Sequence, residues 1–146
     1  MLAKDYADMI TELNRFEVDY VIVGAYAMSV FGYTRATGDI DILSNPKEDN
    51  VEKLWHALEA FGAPLYEVTK EDFLKEGTVF QIGIAPLRID ILTTIDGVNF
   101  DNIQIEYHIT DGLDVPYIDL QSLIKNKRST GRLRDLADCE ELEKRL

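Results

Sequence analysis

What the sequence lacks excludes several classes of protein. A single cysteine, Cys139, leaves no partner for an internal disulfide, as is usual in a reducing cytoplasm. No apolar run approaches the roughly 18 residues needed to span a bilayer, and the first residues have the amphipathic pattern of a helix start instead of a signal peptide. We therefore expect a cytoplasmic protein that does not bind membranes.

Two nucleotide-binding signatures are also absent. The sequence contains neither Gly-x-x-x-x-Gly-Lys-Ser/Thr nor Gly-x-Gly-x-x-Gly, so neither a P-loop nor a dinucleotide-binding fold is indicated. His56 and His108 have no cysteine or second histidine at the spacing of metal ligands. We expect a structural role for both histidines.

Positive charge is scarce. The chain has 15 Lys and Arg residues against 27 Asp and Glu residues, which gives a formal net charge of −12. Such a balance disfavours general binding to nucleic acid, which depends on neutralising phosphates. Five of the basic residues are nevertheless clustered near the C-terminus, at Lys125, Lys127, Arg128, Arg132 and Arg134. A polyanionic ligand would therefore find one attractive face.

Length and composition indicate one ordinary globular domain over residues 1–146. The hydrophobic fraction is 46% and the charged fraction is 29%. A chain of this length buries about 68–70% of its unfolded surface when it folds. The sequence shows no internal repeat and no linker that would divide the domain.

The hydrophobic pattern predicts helices at both ends of the chain and strands between them. Helices are expected over about 2–16, 25–31, 50–61, 119–129 and 132–145. Strands are expected over 19–23, 39–43, 78–84, 87–92, 103–109 and 115–118, with a hairpin formed by the third and fourth. This order predicts an α+β or mixed α/β fold, with a mixed β-sheet flanked by helices and with helices at the C-terminus.

Three acidic residues are the main candidates for chemistry. Asp39 and Asp41 flank one residue of a predicted strand, so both carboxylates should leave the same face. Like charges this close repel each other unless a cation neutralises them, and carboxylate oxygens suit Mg²⁺. Asp90 lies in a second strand of similar sequence. If strands 39–43 and 87–92 pair in register, they form the catalytic edge of the sheet, and three carboxylates could hold two Mg²⁺ ions. The alternative is that these acids are ordinary exposed strand positions.

A possible phosphate site precedes these acids. Val23 ends a predicted strand, and Gly24 and Ala25 lead into a helix with small residues in its first turn. Glycine lets the backbone approach a ligand closely, and a helix N-terminus offers unpaired N–H groups to phosphate oxygens. Such a turn alone is common in proteins without ligands. Its position just before Asp39 makes it informative.

Together these segments resemble the nucleotidyltransferase superfamily of the DNA polymerase β type. Its members have a hydrophobic residue, a glycine, a second glycine or serine, a short helix, an Asp-x-Asp or Asp-x-Glu pair and a third acid on a later strand. Here Val23 to Ala25, the stretch 26–38, Asp39 to Asp41, and Asp90 follow that order.

Two further segments are similar to the minimal bacterial and archaeal members, which include abortive-infection (AbiEii-like) toxin relatives. These segments are Arg35 to Asp41, written Arg-Ala-Thr-Gly-Asp-Ile-Asp, and the basic stretch from Lys127 to Asp138. The resemblance covers about residues 18–43, 78–92 and 119–146. It implies a Mg²⁺-dependent transfer of NMP from an NTP to a hydroxyl acceptor on RNA, protein or a small molecule, and a possible antitoxin-type protein partner.

The resemblance and the chemistry assign roles to the acidic candidates and to the glycine turn. Asp39 and Asp41 would hold Mg²⁺ bridging the phosphates, and Asp90 would complete the metal site and help to deprotonate the acceptor. Gly24 and Ala25 would offer N–H groups to the β- and γ-phosphates.

The basic candidates have two possible roles. Arg35 would neutralise a phosphate or, alternatively, form a salt bridge within the carboxylate cluster. Lys127, Arg132 and Arg134 would line the nucleotide or acceptor cleft. Alternatively, they would pair with Asp135, Asp138 and Glu141 on a solvated helix, since i,i+3 and i,i+4 spacing allows it.

Ala25 departs from the family pattern, in which serine or a second glycine usually follows the first glycine. Without a serine hydroxyl, residue 25 can offer a phosphate only its backbone N–H. A catalytically weak or inactive protein that keeps this fold and acts as a binding or regulatory partner is therefore an alternative. A third hypothesis is a simple cation-binding domain.

Overall fold

The computed structural model of the protein describes residues 2–33 and 38–146. Within these residues, the six strands are β1 (Tyr20–Val23), β2 (Ile40–Ser44), β3 (Val79–Ile82), β4 (Ile89–Leu92), β5 (Ile105–Thr110) and β6 (Leu113–Ile118). The five α-helices are α1 (Lys4–Arg15), α2 (Gly24–Ala27), α3 (Glu48–Phe61), α4 (Leu120–Thr130) and α5 (Leu133–Glu143). Short 3-10 helices cover Met28–Phe31, Lys70–Leu74 and Phe100–Asn102. All six strands predicted from the sequence are present.

The strands form one mixed sheet in the order β3-β4-β2-β1-β6-β5. Strand β2 is antiparallel to β1 and parallel to β4, and β1 is parallel to β6. Strands β3 and β4 form the hairpin that the sequence predicts. The mixed α/β fold is thus confirmed. The expectation that strands 39–43 and 87–92 form an edge of the sheet is wrong, because β3 lies outside β4 and β1 lies on the other side of β2.

The two faces of the central strands differ in chemistry. Side chains alternate along a strand, so Ile42 of β2 points to one face and its neighbour Asp41 points to the other. On the isoleucine face, Phe80 of β3 contacts Phe73, which in turn contacts Trp55 of α3. Helix α1 lies against α3 in the same layer. The isoleucine face therefore belongs to the hydrophobic core.

The opposite face of the sheet, here called the acid face, is partly covered by α2, α4 and α5. Helix α2 contacts β2 and α4, and α4 packs along α5. The side chain of Asp119 caps α4 by accepting a hydrogen bond from the backbone N–H of Ser122. Gly131 ends α4 with a φ of 70°, a conformation that glycine adopts without strain, and the chain turns directly into α5. The break between the helices predicted over 119–129 and 132–145 is confirmed.

The helix predicted over 25–31 is shorter and less regular than expected. Helix α2 has four residues and continues into the 3-10 helix Met28–Phe31. In the described ranges, no helix combines enough length with enough apolar character for a membrane span.

Candidate functional site

A cleft of about 720 Å³ opens over the acid face. One side carries the acids of β2 and β4, and the other is formed by residues of α4 and α5. The cleft brings together every described residue that the sequence predicts for the site, namely Gly24, Ala25, Asp39, Asp41, Asp90, Lys127, Arg132 and Arg134. Arg35, the remaining candidate, lies outside the described residues.

Asp41 and Asp90 are direct neighbours on paired strands. Strands β2 and β4 are parallel, with Asp41 opposite Asp90, so both carboxylates leave the same face of the sheet. Burial, reinforced by the negative charges of Asp90 and Asp39, raises the pKa of Asp41 to about 6. The ionised form of Asp41 is therefore disfavoured in the folded protein.

Arg88 bridges two of the three acids. Its Nε donates to Asp90 Oδ1 at 2.7 Å, and its Nη2 lies 3.1 Å from Asp90 Oδ2. The same Nη2 lies 3.2 Å from Asp39 Oδ2, and the backbone N–H of Arg88 donates to Asp39 Oδ1 at 3.2 Å. The hydrogen bond to Asp90 raises the pKa of Arg88 above its already high value. One permanently charged guanidinium thus partly neutralises three carboxylates.

The sequence pattern does indicate that Arg88 lies beside one of the acids. Arg88 stands two positions before Asp90 on the same strand, and period-two alternation puts both on one face. The counter-ion expected from the sequence is Arg35, which lies outside the described residues. Among the described residues, Arg88 forms salt bridges with Asp39 and Asp90.

The three carboxylates have the donor chemistry of a Mg²⁺ site, but two of them form salt bridges with Arg88. Within residues 2–33 and 38–146, no group of three or more His, Cys, Asp or Glu side chains has the arrangement of a metal-ligand set. Asp39, Asp41 and Asp90 nevertheless line one cleft, and their oxygens are the ligands that a hard divalent cation prefers. Burial is the main cause of the raised pKa of Asp41, and the neighbouring acids add to it. By their donor chemistry, the three acids fit a divalent cation.

Gly24 is required by Asp41. A Cβ atom at Gly24 would collide with the Asp41 carboxylate, and the φ of 71° at Gly24 also favours glycine. The glycine therefore lets α2 start directly beside the acid pair. Ala25 follows on the rim of the cleft. Because α2 has only four residues, its dipole is small, and the backbone N–H groups of Gly24 and Ala25 remain the main donors that this turn could offer.

The opposite wall holds a second ionic cluster. Lys127 is only 4% exposed and its Nζ lies 3.0 Å from Asp138 Oδ2 and 3.4 Å from Asp135 Oδ1. Arg132 Nε and Thr130 Oγ1 each donate to Asp135 Oδ2 at 2.7 Å. Burial favours the neutral acid, but these hydrogen bonds and charges outweigh it and lower the pKa of Asp135. We call this group the wall cluster.

Two of the three basic candidates combine both roles proposed for them. Lys127 pairs with Asp138, Arg132 pairs with Asp135 at the i,i+3 spacing, and both basic residues also line the cleft. Arg134 lines the cleft and is exposed. Among the residues that the structure describes, no acid forms an ion pair with Arg134, so its charge is available to a ligand.

Asp96 also lines the cleft and was not predicted for the site. Asp96 belongs to the turn 95–98, which the sequence marks only as a turn. The turn is tied to α4, because Asn126 Nδ2 donates to the backbone carbonyl of Asp96 at 2.9 Å. Gly97 packs so closely against Ser129 that a Cβ atom there would collide with it. These contacts fix one end of the cleft.

Comparison with known proteins identifies the fold. No protein-family model and no curated protein matches the chain. Among solved structures, the chain is similar to a crystal structure from Thermotoga maritima, provisionally described as a nucleotidyltransferase. The TM-score is 0.63 at 15% sequence identity, and the match covers 99% of this chain and 94% of the other. The chain therefore has a nucleotidyltransferase-like fold.

Proposed function

We propose that the protein is a Mg²⁺-dependent nucleotidyltransferase that moves NMP from an NTP to a hydroxyl acceptor. The observation that carries this proposal is the meeting of Asp39, Asp41 and Asp90 in one cleft. The similarity in fold to the Thermotoga maritima protein supports it. A shared fold alone does not specify an activity, so the acids carry more weight than the fold.

The three acids would hold the cation. Asp41 projects from β2, Asp39 directly precedes that strand, and Asp90 projects from β4 opposite Asp41. When bound, Mg²⁺ would polarise the phosphate oxygens and offset the charge that builds up during transfer. Burial of the acid pair strengthens its interaction with any cation, because the local dielectric is low.

In the proposed transfer, one bond to the phosphorus forms and another breaks. The acceptor oxygen forms a bond to the α-phosphorus, the bond from that phosphorus to the bridging β-phosphate oxygen breaks, and pyrophosphate leaves. Asp90 accepts the proton of the hydroxyl group. Gly24 and Ala25 contribute backbone N–H groups to the phosphates, and Arg134 contributes a positive charge from the opposite wall.

The acceptor and the partner are also proposals. A net charge of −12 disfavours an RNA acceptor that is bound without help, so we favour a hydroxyl group of a protein or small molecule. The proposal of an antitoxin-type protein partner rests only on the resemblance to abortive-infection toxins.

A second candidate is a regulatory partner that keeps the fold and has lost transfer activity. Two observations favour it. Ala25 offers no hydroxyl group to a phosphate, and Arg88 already occupies two of the three acids. The intact set of acids favours the enzyme.

Calorimetry with each NTP, in the presence and absence of Mg²⁺, tests the proposal. We expect Mg²⁺-dependent binding of at least one NTP, and transfer of a radiolabelled NMP to a component of a cell extract. Asp41→Asn combined with Asp90→Asn should reduce transfer at least about a hundredfold, because it removes two ligands of the cation. Asp8→Asn is the matched control, since Asp8 is exposed and pairs with Lys4 on α1.

The three possible results separate the hypotheses. Absence of NTP binding with Mg²⁺ would refute the enzyme. Binding without transfer to any acceptor would favour the regulatory partner. Transfer that survives in the double variant would show that the chemistry occurs elsewhere.

A further inference from the structure

Arg88 places its positive charge beside two of the carboxylates that a metal ion would use. Its guanidinium contacts both carboxylate oxygens of Asp90 at 2.7 and 3.1 Å and one oxygen of Asp39 at 3.2 Å. A planar guanidinium matches a carboxylate in this two-point manner, which makes such pairs stronger than single contacts. Asp90 is only 7% exposed, so the contact lies in a poorly solvated region.

This contact opposes binding of a divalent cation on its own. A cation that uses Asp39 and Asp90 must first displace the guanidinium from both. The displaced Arg88 would then lose its hydrogen bonds and lie beside an added positive charge. Unless Arg88 finds another anion, the free energy lost by breaking its salt bridges offsets much of the free energy gained by binding the cation.

A triphosphate supplies that other anion. Arg88 itself lines the cleft, and its side chain is 29% exposed, so it borders the space that a nucleotide would enter. Phosphate oxygens match the guanidinium fork as well as carboxylate oxygens do. A nucleotide that carries its own Mg²⁺ would therefore offer a cation to the acids and an anion to Arg88 at once.

We propose that Arg88 is the resident counter-ion of the acid cluster, and that it transfers to the triphosphate when metal and nucleotide enter together. The inference rests on the proposed function and specifies how the site is loaded. Metal binding and nucleotide binding are then positively coupled, and metal alone binds weakly. Coupling between two ligands is reciprocal, so each should tighten the other by the same factor.

The test measures two affinities in the same variant. Mn²⁺ alone is titrated by electron paramagnetic resonance, and α,β-methylene analogues of the four NTPs are titrated by calorimetry with Mg²⁺ present. In Arg88→Gln we expect Mn²⁺ alone to bind about tenfold more tightly than in the wild type, and the best analogue to bind about tenfold more weakly. The opposite signs are the signature, because a merely structural arginine would weaken both.

Arg15→Gln is the matched control. Arg15 is an exposed arginine that also pairs with an acid, Glu12, but on the surface of α1. Neither affinity should change in this variant. If Arg88→Gln fails to fold, as judged by circular dichroism, Arg88→Lys replaces it. Lysine keeps the charge and loses the two-point contact with Asp90, so a smaller gain in Mn²⁺ affinity is expected.

The results separate this inference from the proposed function. Mn²⁺ affinity that is unchanged or weaker in both Arg88 variants overturns the inference, even where the wild type binds and transfers nucleotides. If no analogue binds to the wild type with Mg²⁺, the proposed function fails and the coupling fails with it. Tighter Mn²⁺ binding together with weaker analogue binding in Arg88→Gln supports both.

Discussion

Two ionic clusters face each other across the cleft, and they differ in charge balance more than in burial. The acid cluster sets Asp39, Asp41 and Asp90 against Arg88, whereas the wall cluster sets two acids against Lys127 and Arg132. Their most buried members are similarly enclosed, since Asp90 is 7% exposed and Lys127 is 4% exposed. Burial therefore does not distinguish the two clusters.

The direction of the pKa shifts does distinguish the two clusters. Burial and neighbouring acids raise the pKa of Asp41, while hydrogen bonds and cations outweigh burial and lower the pKa of Asp135. The wall cluster is satisfied by its own residues and stabilises the join between α4 and α5. In the acid cluster, by contrast, ionisation of Asp41 destabilises the folded protein.

The largest effect is expected from breaking the wall cluster. Lys127→Met leaves Asp135 and Asp138 without their buried cation, which should lower the free energy of unfolding by about 3–5 kcal/mol. Urea denaturation followed by circular dichroism measures it. Lys125→Met is the control, because Lys125 is an exposed lysine on the same helix. A loss below about 1 kcal/mol would show that the wall cluster is not structural.

Neutralising one acid of the acid cluster should instead raise the free energy of unfolding. Asp41→Asn removes a carboxylate whose folded-state pKa of about 6 lies above the ordinary aspartate value of 3.8. Between these values the folded protein binds more protons than the unfolded chain, so wild-type stability falls as pH rises. Without divalent ions, the variant should be roughly 1–3 kcal/mol more stable at pH 8, and the gain should disappear near pH 4.

Denaturation of Asp41→Asn and wild type at pH 4 and pH 8 measures this difference. Asp8→Asn, at an exposed acid of α1, controls for the loss of one negative charge. An Asp41→Asn protein that is less stable than the wild type at pH 8 would contradict the view that the ionised Asp41 carboxylate destabilises the folded protein.

The smallest effect is expected from adding a hydroxyl group beside the acid cluster. In the wall cluster, the hydroxyl of Thr130 donates to Asp135, whereas residue 25 has none to offer. Ala25→Ser should tighten binding of a Mg²⁺–NTP complex by about three- to tenfold, the value of one added hydrogen bond. Calorimetry with the preferred NTP measures it.

Ser29→Ala provides the control for this comparison. Ser29 lies one turn further along, and its hydroxyl donates to the backbone carbonyl of Tyr26. Its loss should leave nucleotide affinity unchanged. If Ala25→Ser does not tighten binding, the phosphates do not reach the turn at Gly24.

The sequence was sufficient to predict that the acids meet. Asp41 and Asp90 each stand between aliphatic residues of a short strand, and a sheet that buries those aliphatics can align the strands in few ways. The structure places the two residues opposite each other as expected. Gly24 was also predicted for the site. In the structure it packs against the carboxylate of Asp41.

The partners of the charged residues were harder to predict. Lys127 meets Asp135 and Asp138 across the turn at Gly131, which brings together residues eight and eleven positions apart. Helical spacing alone cannot predict such contacts, because they depend on how α4 packs against α5. The order of strands in the sheet is set in the same way by packing of distant elements, and this is why the edge position was wrong.

The bond between Arg88 and Asp39 joins residues 49 positions apart. Strands β2 and β4 are parallel, so the chain must complete α3 and the β3 strand before they can pair. Such distant pairing forms slowly, since the loop must close before its contacts can stabilise it. During synthesis, a chain that has reached Asp41 still lacks β4 and the wall formed by α4 and α5. Any activity of this protein therefore belongs to the finished fold, and a nascent chain or an N-terminal fragment carries its Asp-x-Asp without the cleft.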